Sequence, residues 1–184
     1  MAAENYVIPH AELIEQCARG DRRAQYRVYQ LYAKSMLHVC MRILQNVQEA
    51  EDVLQEAFFD AFTKMDSFRF ESSFGAWLKQ IVVRKAINQL RQRKVDFLSM
   101  DALQDAIQVP DEDPDPDLPD HVTVEKISAA MAQLSEGYRT VLSLYLFEGY
   151  DHEEIGQILS INEVTSRTQF LRAKKRLLSL LSTH

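Results

Sequence analysis

The stretch DHEEIGQILSINEVTSRTQFLRAKKRLLSLL, residues 151–181, decides the fold of the C-terminal part of the chain. It opens with Asp151 and Glu154, which stand at the N-cap and third positions of a capping box, and a second N-cap, Asn162, follows after a short turn. Two capped helices joined by a three-residue turn predict a helix-turn-helix. Gly156 has no side chain, so the first helix can approach the second closely.

The longer helix of this pair, which follows Asn162, has two chemically different faces. Its buried face is predicted by small and apolar residues at helical spacing, namely Ser166, Phe170, Ala173, Leu177 and Leu180. The opposite face, called the Arg172 face below, carries Arg167, Thr168, Leu171, Arg172 and Lys175. This composition suits the major groove of DNA, because Arg reads guanine, Thr and Leu contact thymine methyl groups, and Lys binds phosphate.

Two shorter helices, VEKISAAMAQL and SEGYRTVLSLYLF, are predicted before this motif. Ser135 is the predicted N-cap of the second. The four helices together predict a compact domain over residues 122–184.

The N-terminal part of the chain is also helical in its pattern. Residues 11–44 have apolar residues at helical spacing, with a break predicted at Gly20 and Asp21. The next helix starts with Asn46 and Glu49, another N-cap with a carboxylate three residues on, and SSFGAWLKQIVVRKAINQLRQRK forms the last one. We therefore predict three or four helices over residues 1–98. The fold class is all-α, with two small helical domains, and 46% apolar residues are enough to build their cores.

The helix that begins after Asn46 has a core stripe and an opposite polar face. The stripe consists of Ala50, Val53, Leu54, Ala57, Phe58, Ala61 and Phe62. The opposite face, called the Phe59 face below, carries Asp52, Gln55, Glu56 and Phe59. An exposed Phe beside carboxylates suits a protein partner, whereas a plain solvated helix face is the alternative.

The net charge of −6 argues at first against a nucleic-acid partner. Residues 1–99 carry 14 basic and 12 acidic residues, residues 100–124 carry no basic and 8 acidic residues, and residues 125–184 carry 7 of each. The negative charge therefore comes from one segment. Acid-free basic runs, residues 79–94 and 167–176, lie in the last helix of each helical part and favour nucleic-acid binding.

The acidic segment contains QVPDEDPDPDLPDH, residues 108–121, with four of the five prolines and six carboxylates. Prolines favour an extended polyproline-like backbone, and like charges repel one another. Residues 99–121 are therefore predicted to form an extended acidic linker between the two domains.

Other features limit the chemistry that the chain is expected to perform. Cys17 and Cys40 lie inside helical patterns and are predicted to be buried thiols in a reducing cytosol. The motif HEEIG lacks the second His of a metalloprotease, and the acidic segment lacks EF-hand spacing. The sequence has no apolar run of about 20 residues and no signal-peptide pattern. We expect a cytoplasmic protein with no catalytic residue, cofactor, metal or membrane span.

Three segments resemble the extracytoplasmic-function (ECF) group of the sigma-70 family, in their order and at their spacing. They are VQEAEDVLQEAFFDAF, FRFESSFGAWLKQIVVRKAINQLRQRK and LFEGYDHEEIGQILSINEVTSRTQFLRAKKRL. The resemblance implies that residues 1–98 form sigma region 2 and residues 122–184 form region 4. Such a protein binds core RNA polymerase and directs it to promoters, and it performs no covalent chemistry itself. Region 2 recognises and melts the −10 element, and region 4 reads the −35 element.

The resemblance also implies roles for particular residues. It places the Phe59 face on the clamp helices of polymerase and the Arg172 face on the −35 element. It assigns the melted −10 strand to a Phe70 loop, consisting of Phe68, Arg69, Phe70, Glu71 and Ser72. It adds an Arg84 stripe on the following helix, consisting of Gln80, Arg84, Asn88 and Arg91. A hydrophobic plug beneath the loop is the alternative for Phe68 and Phe70.

Further partners and alternatives follow from the same comparison. The family often has an anti-sigma factor or another protein regulator, and its linker passes through the active-site cleft and RNA exit channel of polymerase. The acidic linker would there imitate a phosphate chain, whereas a solvated spacer is the alternative. Two other functions compete: a helix-turn-helix regulator with an N-terminal partner-binding domain, and a helical adaptor with no DNA role. Neither needs the Phe59 face together with a second basic helix.

Overall fold

The computed structural model describes residues 9–93 and 123–182, and every regular element in these two ranges is helical. The predicted all-α class is confirmed. The acidic linker, residues 99–121, lies outside the described residues. The contacts divide the chain into two compact units, with the boundary between Gln89 and Leu90.

The first unit is built from helices α1 (Ala11–Ala18), α2 (Arg22–Leu44), α3 (Val47–Thr63) and most of α4 (Phe74–Gln92), which continues past the boundary, with a 3₁₀ turn at Met65–Ser67. The predicted break between α1 and α2 is confirmed, because the Asp21 carboxylate accepts hydrogen bonds from the amides of Arg23 and Ala24, at 2.7 Å and 3.2 Å. The predicted cap of α3 is confirmed as well, since Asn46 Oδ1 accepts from the Glu49 amide at 3.1 Å. Side-chain caps of this kind satisfy amides that the first helical turn leaves without a partner.

The core of the first unit lies between α2, α3 and α4. The predicted stripe of α3 is buried, except that Phe62 at its edge is half-buried. Cys17 and Cys40 are buried thiols that form no disulfide, as predicted. Burial raises the pKa of the Cys17 thiol to about 11, and the nearby Asp21 carboxylate adds to the shift. Cys17 is therefore protonated at neutral pH and is a poor nucleophile.

The second unit consists of α5 (Val124–Ala132), α6 (Glu136–Leu146), α7 (His152–Leu159) and α8 (Glu163–Ser182). The predicted capping box of α7 is present: the Glu154 amide donates to Asp151 Oδ1 at 2.8 Å, and the Asp151 amide donates to Glu154 Oε2 at 2.9 Å. Asn162 caps α8 through the Thr165 amide at 2.6 Å. The helix-turn-helix prediction is thus confirmed at both helix starts.

The turn between α7 and α8 is tight. Ser160 has φ +60, in the left-handed region, and a Cβ on Gly156 would lie 2.8 Å from the carbonyl oxygen of Ile161. Glycine is therefore required at position 156 for the close approach. A core of α5, α6 and α8 residues lies behind the motif, formed by Ala130, Met131, Leu134, Tyr138, Leu142, Ala173, Leu177 and Leu181.

The predicted N-cap role of Ser135 is wrong in its detail. Ser135 stands at the N-cap position of α6, but its hydroxyl makes no capping hydrogen bond and has no partner among the described residues. A separate hydrogen bond ties the start of α6 to the residue before it, because Arg139 Nη1 donates to the Leu134 carbonyl oxygen at 2.9 Å. Arg139 is buried, so this bond takes place in a poorly solvated environment.

Candidate functional site

The Phe59 face lies on the solvent side of α3. Its four residues are exposed, and 71% of Phe59 is accessible to solvent. An aromatic side chain that leaves most of its surface in water is typical of a contact with another molecule. Exposure follows directly from the helical period, because the same helix buries its opposite stripe.

The Phe59 face is joined to α4 by Lys85, which sequence analysis did not single out. Lys85 Nζ lies 3.2 Å from Glu56 Oε2 and 3.3 Å from Asp60 Oδ2, and Asp60 also pairs with Lys64 at 3.3 Å. Burial opposes the charge on Asp60, but hydrogen bonds from Lys64 and Lys85 outweigh it and lower the pKa of the Asp60 carboxyl. Burial likewise opposes the charge on Lys85, and the bonds to Glu56 and Asp60 raise the pKa of Lys85 overall. Both shifts favour the charged forms, so Asp60 and Lys85 are ionised at neutral pH.

The two phenylalanines of the Phe70 loop have different surroundings. Phe68 is only 6% exposed and packs against Phe74 and Trp77, with ring centroids 5.6 Å and 5.4 Å away. Phe70 lies 4.8 Å from the Phe68 ring and is 38% exposed. Phe68 is therefore part of an aromatic floor, as the plug alternative predicts, and Phe70 is the ring that a base can reach. Arg69, Glu71 and Ser72 are exposed around it.

Phe70 has an unusual backbone. Its φ of +58 lies in the left-handed region, which a bulky non-glycine residue rarely adopts. Such a conformation costs of the order of 1–3 kcal/mol and is often found at ligand sites. The packing of Phe70 on Phe68 holds it there.

The Arg84 stripe continues from this loop along α4. Its residues Gln80, Arg84, Asn88 and Arg91 are all exposed and share one side of the helix, as their spacing predicts. The stripe is about 16 Å long, at about 1.5 Å per residue. α4 begins directly after the loop, where Ser73 Oγ accepts a hydrogen bond from the Ala76 amide at 3.2 Å. The loop thus leads directly into the helix that carries the stripe.

The Arg172 face lies on α8, and two of its five side chains already have partners within the helix. Arg167 donates to Glu163 Oε1 from Nε at 3.0 Å and from Nη2 at 2.6 Å, and the Thr168 hydroxyl donates to the Val164 carbonyl at 2.9 Å. Leu171 and Lys175 are exposed, and Arg172 is half-buried.

The first turn of α8 adds a residue that sequence analysis missed. Val164 is 71% exposed, and the N-terminal turn of a recognition helix is the part that contacts base edges. On the predicted inward face, Ser166, Ala173 and Leu177 are buried, whereas Phe170 and Leu180 are half-buried. Gln169 and Leu181 are buried in addition.

An aromatic cluster links α6, α7 and α8. His152 stacks on Tyr145 with centroids 4.7 Å apart, contacts the edge of Phe170 at 5.4 Å, and has Nδ1 at 3.0 Å from Ser166 Oγ. Burial lowers the pKa of His152, and the nearby Arg167 cation lowers it further. His152 is therefore neutral at pH 7 and serves to hold the helix-turn-helix together.

Two known protein families match this chain, one over each of its two helical parts. The Sigma-70 region 2 family matches residues 28–95, and the Sigma-70 region 4 family matches residues 125–177. The ECF RNA polymerase sigma factor SigW of Bacillus subtilis is 31% identical over 175 residues, which cover 89% of this chain and 92% of SigW.

The chain belongs to the ECF group of the sigma-70 family.

Other comparisons agree with this sigma factor assignment. The RNA polymerase sigma-H factor of Pseudomonas aeruginosa is 30% identical over 177 residues, with 89% of each chain covered. RpoE of Bartonella quintana, solved in complex with the anti-sigma factor NepR, has the same fold, with a TM-score of 0.56 at 22% identity and coverage of 85% of this chain and 96% of RpoE. CnrH, solved with the cytosolic domain of CnrY, has a TM-score of 0.54 at 18% identity, with coverage of 94% and 96%.

The sigma factor assignment settles the class of function. Sigma factors work with core RNA polymerase and promoter DNA, so this protein is a transcription initiation factor, and the resemblance stated from its motifs is confirmed. A match to region 2 is not expected of a helix-turn-helix regulator or of an adaptor without a DNA role. Over residues 9–93 and 123–182, no group of three His, Cys, Asp or Glu side chains is placed to hold a metal ion. Within the same ranges, no helix is both long and apolar enough to cross a membrane.

Proposed function

We propose that this sigma factor divides its work between two domains, residues 1–98 and residues 122–184. The first binds polymerase and holds melted −10 DNA, and the second reads the −35 element as a duplex. The observation that carries the proposal is the Phe70 ring, half-exposed on its aromatic floor directly before the Arg84 stripe. Binding of duplex DNA alone does not need an aromatic platform of this kind.

The Phe59 face is proposed to dock on the clamp helices of polymerase. Its exposed aromatic ring lies among Asp52, Gln55 and Glu56, and this combination suits a protein surface with apolar and basic groups. Glu56 is already ion-paired with Lys85, so Asp52 is the carboxylate of this face that is proposed to bind a cation of the partner. A protein regulator of this sigma factor would cover the same face or clamp the two domains together.

Base capture is proposed to occur between the Phe70 loop and the Arg84 stripe. Taking a base out of the stack costs a few kcal/mol, and stacking on an aromatic side chain returns about 1–3 kcal/mol per base. Phe70 supplies the ring, and Arg84 supplies a cation for the phosphate of the same strand. The amide groups of Gln80 and Asn88 offer donors and acceptors to base edges.

The Arg172 face is proposed to enter the major groove of the −35 element. Glu163 holds Arg167 in the free protein, so guanine or phosphate must compete with this carboxylate for the Arg167 guanidinium. Thymine methyl groups would contact Leu171 and Val164, both of which are exposed. Lys175 would bind a phosphate without regard to sequence.

Three remaining predictions belong to this proposal. We infer that the protein acts in the cytoplasm, where polymerase and promoter DNA are, and that it performs no covalent step itself. The acidic linker is proposed to occupy the path of RNA in polymerase. Replacing Asp111, Asp113, Asp115 and Asp117 by Asn should then lower holoenzyme affinity and change the yield of abortive RNA.

The function is tested by in vitro transcription from a promoter library with purified core polymerase. We expect specific transcripts only when the protein is added, and a −10 and a −35 motif shared by the active promoters. Specific duplex binding without promoter-specific transcripts would overturn the proposal.

A further inference from the structure

Helix α2 has a charge pattern that the functions described above do not use. Between Asp21 and Glu49 the chain has no acidic residue, whereas it has five basic ones, Arg22, Arg23, Arg27, Lys34 and Arg42. The acid-free run covers the whole of α2, which is the longest helix among the described residues. It is longer than either of the basic runs in α4 and α8.

Part of this charge forms a continuous surface. Arg23, Tyr26, Arg27, Gln30 and Lys34 recur at steps of three, four and seven residues, so they lie on one side of α2, and all are exposed. We call this surface the α2 basic stripe; it is about 16 Å long. Tyr26 is 63% exposed, and its hydroxyl accepts a hydrogen bond from Gln30 Nε2 at 3.1 Å, which fixes the ring on the stripe.

The cations of the α2 basic stripe lack the intramolecular partners that several other exposed cations have. Arg19 pairs with Glu15, Lys64 with Asp60, and Arg167 with Glu163. Arg23, Arg27 and Lys34 form no ion pair with any side chain in the described part of the chain. Arg23 and Arg27 are also one helical turn apart, a spacing at which like charges destabilise a helix.

The position of the basic residues in the first turn of α2 destabilises this helix further. Arg22 and Arg23 stand in the first turn of α2, which has no acidic residue, and the positive end of the helix dipole disfavours cations there. Only the capping carboxylate of Asp21 opposes them. An arrangement that lowers the stability of its own helix is expected where a partner supplies the missing negative charge.

We propose that the α2 basic stripe is a second DNA contact of the first unit, in which Arg23, Arg27 and Lys34 bind backbone phosphates of promoter DNA. The inference rests on the proposed function. Double-stranded DNA carries about one negative charge per 1.7 Å of its axis, so a stripe of this length meets several phosphates. A protein interface needs an apolar centre with few charges, and the stripe offers one tyrosine among three cations. Its composition therefore favours phosphate over an acidic protein surface, and the contact is independent of sequence.

The test compares Arg27→Gln with Arg19→Gln in reconstituted holoenzyme. Both residues are exposed arginines of the first unit, but Arg19 is paired with Glu15. Promoter affinity is measured over a series of salt concentrations, and core affinity is measured separately. Each lost phosphate contact reduces the slope of log affinity against log salt by about 0.9. We expect this change for Arg27→Gln, about twice the change for the Arg23→Gln/Arg27→Gln pair, and no change for Arg19→Gln.

Two additional readouts separate the contact from a fold defect and from a protein interface. The Arg27→Gln protein should unfold at the same temperature as wild type or higher, because a like-charge repulsion is removed. The loss of affinity should be equal on promoters with altered −10 or −35 sequences. Equal salt slopes for Arg27→Gln and Arg19→Gln would overturn the proposal, and so would a loss confined to core binding. Wild-type protein that fails to direct transcription would instead refute the proposed function itself.

Discussion

Lys85 Nζ lies 3.2 Å from Glu56 Oε2, so the helix proposed to hold melted DNA is ion-paired to the face proposed to bind polymerase. The two residues are 29 positions apart in the chain. Asp60, one turn after Glu56 on α3, accepts from the same ammonium group. The relative position of α3 and α4 thus depends in part on one lysine.

We predict that Lys85→Met alters the energetic coupling between α3 and α4 in promoter opening more than it alters the free energy of unfolding. Exposed ion pairs contribute about 0.2–1 kcal/mol, so the free energy of unfolding should fall by no more than about that amount. In a double-mutant cycle, Lys85→Met and Glu56→Gln should be non-additive in promoter opening by about 0.5 kcal/mol. Arg84→Gln lies next to Lys85 and serves as the control, because it should be additive with Glu56→Gln. Additive effects for Lys85 as well would refute the coupling.

Substitutions of Phe68 and Phe70 should affect different properties, the free energy of unfolding for Phe68 and the binding of an unstacked base for Phe70. Phe68→Ala removes a buried ring and should destabilise the first unit by about 3–5 kcal/mol, whereas Phe70→Ala removes a ring that is 38% exposed and should cost much less. Phe70→Ala should weaken binding of the single-stranded −10 element to holoenzyme by about 1–3 kcal/mol. Denaturant unfolding and fluorescence anisotropy measure the two effects. If Phe70→Ala left the affinity for single-stranded DNA unchanged, Phe70 would serve only to shield the Phe68 ring from solvent.

His152 should make the second unit sensitive to mild acid. Its pKa is lowered from 6.5 in the folded protein, so the folded state binds a proton less readily than the unfolded state. Stability is therefore expected to fall as pH drops below 6.5 and to stop falling below the folded pKa. The groups around the ring are Tyr145, Phe170, Ser166, the Arg167 cation, and the Glu163 and Asp151 carboxylates.

Proton NMR titration of the histidine ring protons measures this shift directly. The ordinary histidine value of 6.5 is the reference, and His152 should titrate at a lower pH than that. In denaturant unfolding over about pH 5 to 8, His152→Gln should reduce the loss of stability at acid pH. A His152 resonance that titrates at pH 6.5 or above would contradict the lowered pKa.

Local features of the fold could be predicted from sequence. Helix caps depend on residues three positions apart, so Asn46, Asp151 and Asn162 were assigned correctly as N-caps. Ser135 was placed correctly at the N-cap position, but its hydroxyl makes no capping hydrogen bond. The local pattern gives the position of a cap, whereas the side-chain rotamer that decides the hydrogen bond depends on packing around it.

The candidate site was predictable in its exposed faces and less so in its contacts. Helical spacing correctly predicted that the Arg84 stripe and the Phe59 face are exposed. It does not predict the ion pair between Lys85 and Glu56, because these residues are 29 positions apart and on different helices. The Phe70 loop has no helical period, so the sequence did not predict that Phe68 is buried and Phe70 exposed, or that Phe70 has a positive φ. The Arg167–Glu163 pair follows an i, i+4 spacing and was visible in the sequence.

The central claim is that the first unit opens DNA and the second anchors on duplex DNA. Permanganate reactivity of −10 thymines, normalised to the amount of holoenzyme bound, tests it with Arg84→Ala and Arg172→Ala on one promoter. We predict that Arg84→Ala lowers the reactivity of each bound complex, whereas Arg172→Ala lowers the amount bound and leaves the reactivity of each complex unchanged. Equal losses in both quantities for the two variants would contradict the division of labour.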